Sequence, residues 1–246
     1  MNNKKEKISK TIDNIEKIIE KSLITLFLIL LLLSWGIIPI IICTILKIDY
    51  QNLNNIIKTI LLVINDSLLL LLLSLIYKKT LKKDLAELKN KQKRKQYFFF
   101  SVKCWIIGLI IMVISNSIIA ILTNGTLATN EQEVRKLIDS YPLYMLFQLA
   151  IYAPLTEELI FRKSIKDITK NKYLYLFLTG LIFGALHVLS SLKTPLDLLY
   201  LIPYCSLGAT FGYIYYKTNN IYSTITIHAI HNTCAFILYL LTTVIS

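Results

Sequence analysis

"LITLFLILLLLSWGIIPIIICTIL", residues 23–46, runs for 24 residues without a charge. Coiled at about 1.5 Å per residue, such a run is long enough to cross the ~30 Å hydrocarbon core of a bilayer. The lysine-rich stretch before it raises the alternative of a cleaved signal peptide. The run is too long for that, and no small-residue cleavage site follows, so it reads as a retained membrane helix.

Outward from this run, the chain keeps the same plan. Of 246 residues, 55% are hydrophobic, and the mean hydropathy is +0.59. Lys and Arg number 27 against 15 Asp and Glu, a net charge of +12. In a soluble protein that balance would suggest a nucleic-acid partner. Here the charge is confined to gaps between apolar runs, so the expected partners are membrane lipids and no nucleic acid. Apolar segments at about 23–46, 57–77, 98–123, 142–161, 173–190, 197–216 and 221–245 predict an all-α fold. It is a polytopic transmembrane bundle of about seven helices in a cell membrane. With a cytosolic N-terminus, 21 of the 27 basic residues fall in cytosolic segments and five in outer loops. That is the alternation the positive-inside rule requires.

Three regions follow. Residues 1–22 are a basic cytosolic segment with Ile8, Ile12, Ile15 and Ile19 at helical spacing, suited to an anionic membrane surface or to a solvated leader. Residues 23–139 hold three transmembrane helices with a basic cytosolic loop at 78–96, and residues 140–246 hold four more. Cys43, Cys104, Cys205 and Cys234 sit in apolar runs without a CxxC pair and read as small buried hydrophobes.

Ionisable residues inside a membrane are expensive, and each is a functional candidate. "LTEELIFRK", residues 155–163, places Glu157, Glu158 and Arg162 in the fourth segment. The only three histidines, His187, His228 and His231, lie in the last segments. Glu158 and Arg162, at i and i+4, share a helix face and can pair. Glu157 is rotated by about 100° and left for chemistry. Phe183 and His187 share a face, as do His228 and Asn232, with His231 beside them. About a hairpin centred on Lys172, Glu157 and His187 each lie roughly 22 Å from the turn and can face one another. Gly180/Gly184 and Gly208/Gly212 form two GxxxG steps, read as close helix packing. Asp66, in "VINDSLLLL" (63–71), is either a transporter-type charge or a hydrogen-bonded buried Asp.

"EELIFR", "FGALH" and "HAIHN" fit the ordered EExxxR, FxxxH and HxxxN motifs of a known family. Over roughly residues 140–240 the chain resembles the CPBP intramembrane proteases, also called the Abi family or type II CAAX prenyl endopeptidases. The resemblance implies Glu157 as catalytic base, His187 as polariser of the water, His228 and Asn232 as oxyanion stabilisers, and Glu158 and Arg162 as support. Phe183 and His231 join the supporting set. The family is often labelled metalloprotease. Glu157, His187 and His228 could ligate zinc, or Glu and His could activate water without metal. The expected function is an intramembrane endopeptidase opening near the cytosolic leaflet, acting on a membrane-associated peptide or protein. Abundant Lys, Ile and Asn suggest a bacterial source, where the resemblance implies bacteriocin self-immunity or peptide processing. A non-enzymatic scaffold or immunity protein with a relic site, and a transporter, are the alternatives.

Overall fold

The computed structural model describes residues 2–190 and 192–245, without the side chains of residues 2–5, 7–10, 244 and 245. Ile8 of the expected amphipathic face lies outside the described side chains, as do Met1, Ser191 and Ser246. The described residues are helical and contain no strand. In chain order the helices are α1 (Asn2–Trp35), α2 (Ile38–Ile45), α3 (Asn55–Ile76), α4 (Lys78–Glu87), α5 (Lys91–Leu122) and α6 (Thr129–Ser140). A composite helix follows, made of α7 (Pro142–Phe147), a π-helical segment Gln148–Tyr152, α8 (Ala153–Glu157), a second π segment Glu158–Ser164, and α9 (Ile165–Ile168). Then come α10 (Lys172–Leu189), α11 (Leu201–Thr218) and α12 (Ile221–Ile245).

Residues 23–46 do not form one helix. α1 enters without a break from the basic N-terminal segment and ends at Trp35, and α2 starts beyond Gly36 with Pro39 in its first turn. Proline has no N–H to return to the carbonyl four residues earlier. Here that carbonyl is Trp35 O, which accepts from Asn65 Nδ2 at 3.3 Å, while Trp35 Nε1 donates to Asn65 O at 2.8 Å. A reciprocal clamp to α3 thus replaces the lost helical bond.

Among the described residues six helices are long and apolar enough to cross a membrane: Thr11–Trp35, Asn55–Ile76, Lys91–Leu122, Lys172–Leu189, Pro195–Thr218 and Ile221–Thr243. The expected seventh, residues 142–161, is helical as well. Its wide π turns and its charged residues keep it out of the set that length and hydropathy define. Asparagines start several spans. Asn54 Oδ1 accepts from Ile57 N–H at 2.9 Å, and Asn90 and Asn171 bond the first free N–H groups of α5 and α10 in the same way.

The loops assort into two ends, as the charge alternation demands. At one end α4 grips the start of α12: Ile221 N–H donates to Asp84 Oδ2 at 2.8 Å, and Asn220 Nδ2 donates to Asp84 O at 2.8 Å. Burial raises the Asp84 carboxyl above its ordinary value. Lys166 Nζ donates there to Tyr215 O at 3.2 Å and Asn219 Oδ1 at 3.0 Å. Burial, reinforced by the charge of Lys163, pushes Lys166 down to about 8. At the other end Tyr141 donates to Asn55 Oδ1 at 3.3 Å, and Tyr239 donates to Asp139 Oδ1 at 2.9 Å. The first end is the one that carries the basic loops.

α10 and α11 make the most extensive helix pairing. The two GxxxG steps lie in this seam. A Cβ on Gly184 would stand 2.4 Å from Cys205 Sγ, and one on Gly212 would stand 2.4 Å from Thr179 Cγ2. A Cβ on Gly208 would meet Phe183 at 3.0 Å, so this glycine seats a ring that touches the candidate site.

Candidate active site

The second π segment begins one residue after Glu157. Such wide turns are frequent at functional sites, because they offset the side-chain register within one helix. Here they set two neighbouring glutamates to different tasks. Glu158 is fully buried, with Oε2 3.1 Å from Arg162 Nε, an ion pair whose angle is not that of an aligned hydrogen bond. The guanidinium carbon of Arg162 lies 4.7 Å from the centroid of Phe183 and 5.8 Å from that of Phe211. Facing rings and one carboxylate therefore compensate a cation with no solvent exposure.

The other oxygen of Glu158 accepts a hydrogen bond from His228 Nδ1 at 2.9 Å. A carboxylate partner in this position requires the Nδ1–H form of the ring. His228 Nε2 then points at Glu157, 3.9 Å from its Oε2. Phe211 stacks on His228 with centroids 4.8 Å apart and fixes the ring plane. Glu157 keeps a modest exposure, and its Oε2 has no hydrogen-bond partner among the described residues. The result is a chain, Arg162–Glu158–His228, ending 3.9 Å short of Glu157.

Glu157, His187, His228, His231, Asn232 and Phe183 all line one cavity of about 360 Å³. Glu158 and Arg162 lie behind its wall. His187 Nδ1 bonds Phe183 O at 2.8 Å. A carbonyl only accepts, so this nitrogen carries the proton, and Nε2 is the acceptor in the neutral ring. Phe183 and Tyr204 hold the His187 ring on its two sides, with centroids 4.3 and 5.0 Å away. His231 accepts from Trp105 Nε1 at 3.2 Å through Nδ1.

The cavity does not run to the end that carries the basic loops. It extends beneath α6, where Glu131, Arg135 and Tyr239 line it. Arg135 pairs with Glu131 at 2.8 Å and lies over the Tyr239 ring at 5.0 Å. This corrects the expected opening, because α6 packs at the end opposite the basic loops. The helices that carry the site reach it from both ends, and α6 covers it at the end opposite the basic loops.

The residues do not fit a zinc centre. Among the described residues no three His, Cys, Asp or Glu side chains come together as ligands. Asp66 lies outside the cavity but touches its wall. Buried in α3, it accepts from Tyr144 Oη at 2.9 Å, Gln148 Nε2 at 3.1 Å and Asn65 Nδ2 at 3.4 Å. Tyr144 and Gln148 both line the cavity. Asp66 is thus a hydrogen-bonded structural carboxylate. Trp105, Tyr204 and Phe211 were invisible in the sequence pattern, since aromatics inside apolar runs carry no local signal.

Comparison with known proteins bears on the same half of the chain. Residues 139–234 match the family described as "Type II CAAX prenyl endopeptidase Rce1-like". Over 119 residues the chain is 32% identical to the "Putative membrane peptidase YdiL" of Bacillus subtilis (strain 168), a match covering 47% of this chain and 45% of that relative. The chain thus matches less than half the length of that curated relative. No solved structure matches.

Proposed function

We propose, from the match of residues 139–234 to the type II CAAX prenyl endopeptidase Rce1-like family, that this multi-pass membrane protein is an intramembrane endopeptidase. The observation that carries the reading is the shared cavity, in which His228 Nε2 stands 3.9 Å from Glu157 Oε2 beside His187 and Asn232. That spacing lets Glu157, through a water, and His228 act on one scissile carbonyl.

In this reading Glu157 takes a proton from the water as its oxygen attacks the scissile carbonyl carbon. His187, with Nδ1–H committed to Phe183, accepts a hydrogen bond from the water through Nε2. The Asn232 amide donates to the carbonyl oxygen as it gains charge. His228 can add a second donor from Nε2 only as the imidazolium, because its Nδ1–H is committed to Glu158. The buried carboxylate of Glu158 compensates that charge, and Arg162 in turn holds Glu158. When the tetrahedral intermediate collapses, the C–N bond breaks and Glu157 returns the proton to the leaving amine. No step is routed through a metal.

The substrate class is a membrane-associated peptide or protein segment entering beneath α6, from the face opposite the basic loops. In a bacterial membrane such activity suits peptide processing or bacteriocin self-immunity. The test is cleavage of a peptide library by the purified protein, read by mass spectrometry. Glu157→Gln keeps the shape and removes the base, and it should lower turnover by about 10²–10⁴-fold with folded yield unchanged. A Glu157→Gln protein that cleaved at the full rate would remove Glu157 as the base, and a wild-type protein that cleaved nothing would favour a scaffold.

A further inference from the structure

A second cavity, of about 470 Å³, opens at the basic end between the first turns of α5 and α12. Its volume falls within the about 300–1,000 Å³ typical of small-molecule sites. Lys91, Arg94 and Lys95 line it, together with Phe98, Tyr222 and Ser223. These positions have no part in the proposed peptidase chemistry.

The three cations are not neutralised from within. Among the described residues, none of Lys91, Arg94 and Lys95 pairs with a carboxylate. Glu87, four residues before Lys91 in the chain, is already engaged by Lys93 at 2.8 Å, Tyr97 at 3.0 Å and Asn220 at 3.2 Å. Asp84 is spent on the start of α12. Ser223 supplies an independent sign. It is 7% exposed, and its Oγ is buried with no hydrogen-bond partner among the described residues. A buried hydroxyl left unsatisfied is unusual in a native interior.

We propose that this cavity binds the phosphodiester headgroup of an anionic glycerophospholipid from the surrounding leaflet. Basic pockets between membrane helices on the cytosolic side have the charge and depth for such headgroups. The 32 residues of α5 exceed what the hydrocarbon core needs, so its first turns stand at headgroup level. Phe98, 44% exposed, offers an apolar surface where the glycerol joins its acyl chains. A soluble phosphate ester would gain nothing from that ring. Lys91, Arg94 and Lys95 meet the phosphate, and Ser223 Oγ gains a partner at the inner wall. Ser223 lies five residues before His228 on α12, so an occupied cavity would brace the helix that carries the site.

The experiment uses the full chain in a non-ionic detergent, with native mass spectrometry of bound lipid. Short-chain phosphatidylglycerol is compared with phosphatidylcholine of equal chain length, and glycerol 3-phosphate is the soluble competitor. Phosphatidylglycerol should be retained in preference to phosphatidylcholine. Arg94→Gln and Lys95→Gln should each weaken it by about fivefold, matching ~1 kcal/mol per basic side chain near an anionic surface. Ser223→Leu, which fills the inner wall without altering charge, should weaken it too. Arg94 is exposed, so its variant reports even if Ser223→Leu fails to fold. Equal retention of both lipids, or undiminished binding by Arg94→Gln and Lys95→Gln, would overturn the site. Displacement of the lipid by equimolar glycerol 3-phosphate would assign the cavity to a soluble phosphate ester and overturn the lipid proposal.

Discussion

Glu158 and Asp66 are both carboxylates buried among membrane helices, and they are kept there by opposite means. Glu158 is matched by charge: Arg162 lies on one oxygen and His228 on the other. Asp66 is matched by neutral donors, from Tyr144, Gln148 and Asn65. Charge matching is strong only while every member is present, because removing one strands another in a low-dielectric interior. Neutral matching is spread over three donors and fails gradually. The first arrangement orients an imidazole beside the cavity. The second ties α3, which lies outside the family-matched residues, to the wall of that cavity.

The sharpest way to break this contrast is Arg162→Ala. It should lower stability by ~3–5 kcal/mol, seen as loss of folded yield and an earlier thermal transition in detergent. Glu158→Gln combined with Arg162→Met removes both charges and should recover most of that stability. Cleavage should remain lost, because His228 no longer has a compensating carboxylate. If Arg162→Ala leaves yield intact and changes only substrate choice, Arg162 is a substrate contact and not the anchor of Glu158.

A smaller effect is expected from Asp66→Asn. The size is kept, and the interactions at stake are hydrogen bonds to a charged group, worth ~1.5–3 kcal/mol. Thermal unfolding of the two variants side by side sharpens the comparison. A larger loss from Asp66→Asn than from Arg162→Ala would reverse it.

The smallest effect concerns a charge at the membrane end. Lys166 is held down to about 8, against ~10.4 in an unfolded chain. Below pH 8 both states carry the proton and the burial penalty is constant. Between about 8 and ~10.4 the unfolded state binds more protons, so this residue makes stability rise with pH. Lys166→Met should flatten that rise in a series of melting temperatures from pH 7 to 10. An unchanged slope would show that Lys166 is fully hydrated.

The helical fold and the ordering of the loops were legible because hydropathy and charge are local signals. So were Glu157, Glu158, Arg162, His187, His228 and Asn232, which stand out as polar residues in apolar runs. Three features were not. The end of α1 at Trp35 depends on a proline four residues on and an asparagine thirty residues on, a pairing no window contains. The rings that hold the histidines come from distant helices, as Trp105 and His231 show. The direction of the cavity depends on where α6 folds back, and helix periodicity says nothing of that.

The π segment at Glu158–Ser164 has a consequence for insertions and deletions. A π turn holds one residue more than the α-helix it interrupts. Deleting one residue between Glu158 and Arg162 would leave an acceptable regular helix, and hydropathy would hardly change. The two flanks would keep their mutual orientation, because the wide turn is what absorbs the extra residue. Glu158 and Arg162, then at i and i+3, would still be neighbours on one face. A second deletion would find no wide turn to absorb it and would rotate the flanks by about 100°, taking either Glu157 out of the cavity or Arg162 away from Glu158. In this stretch the number of residues carries information that their identities do not.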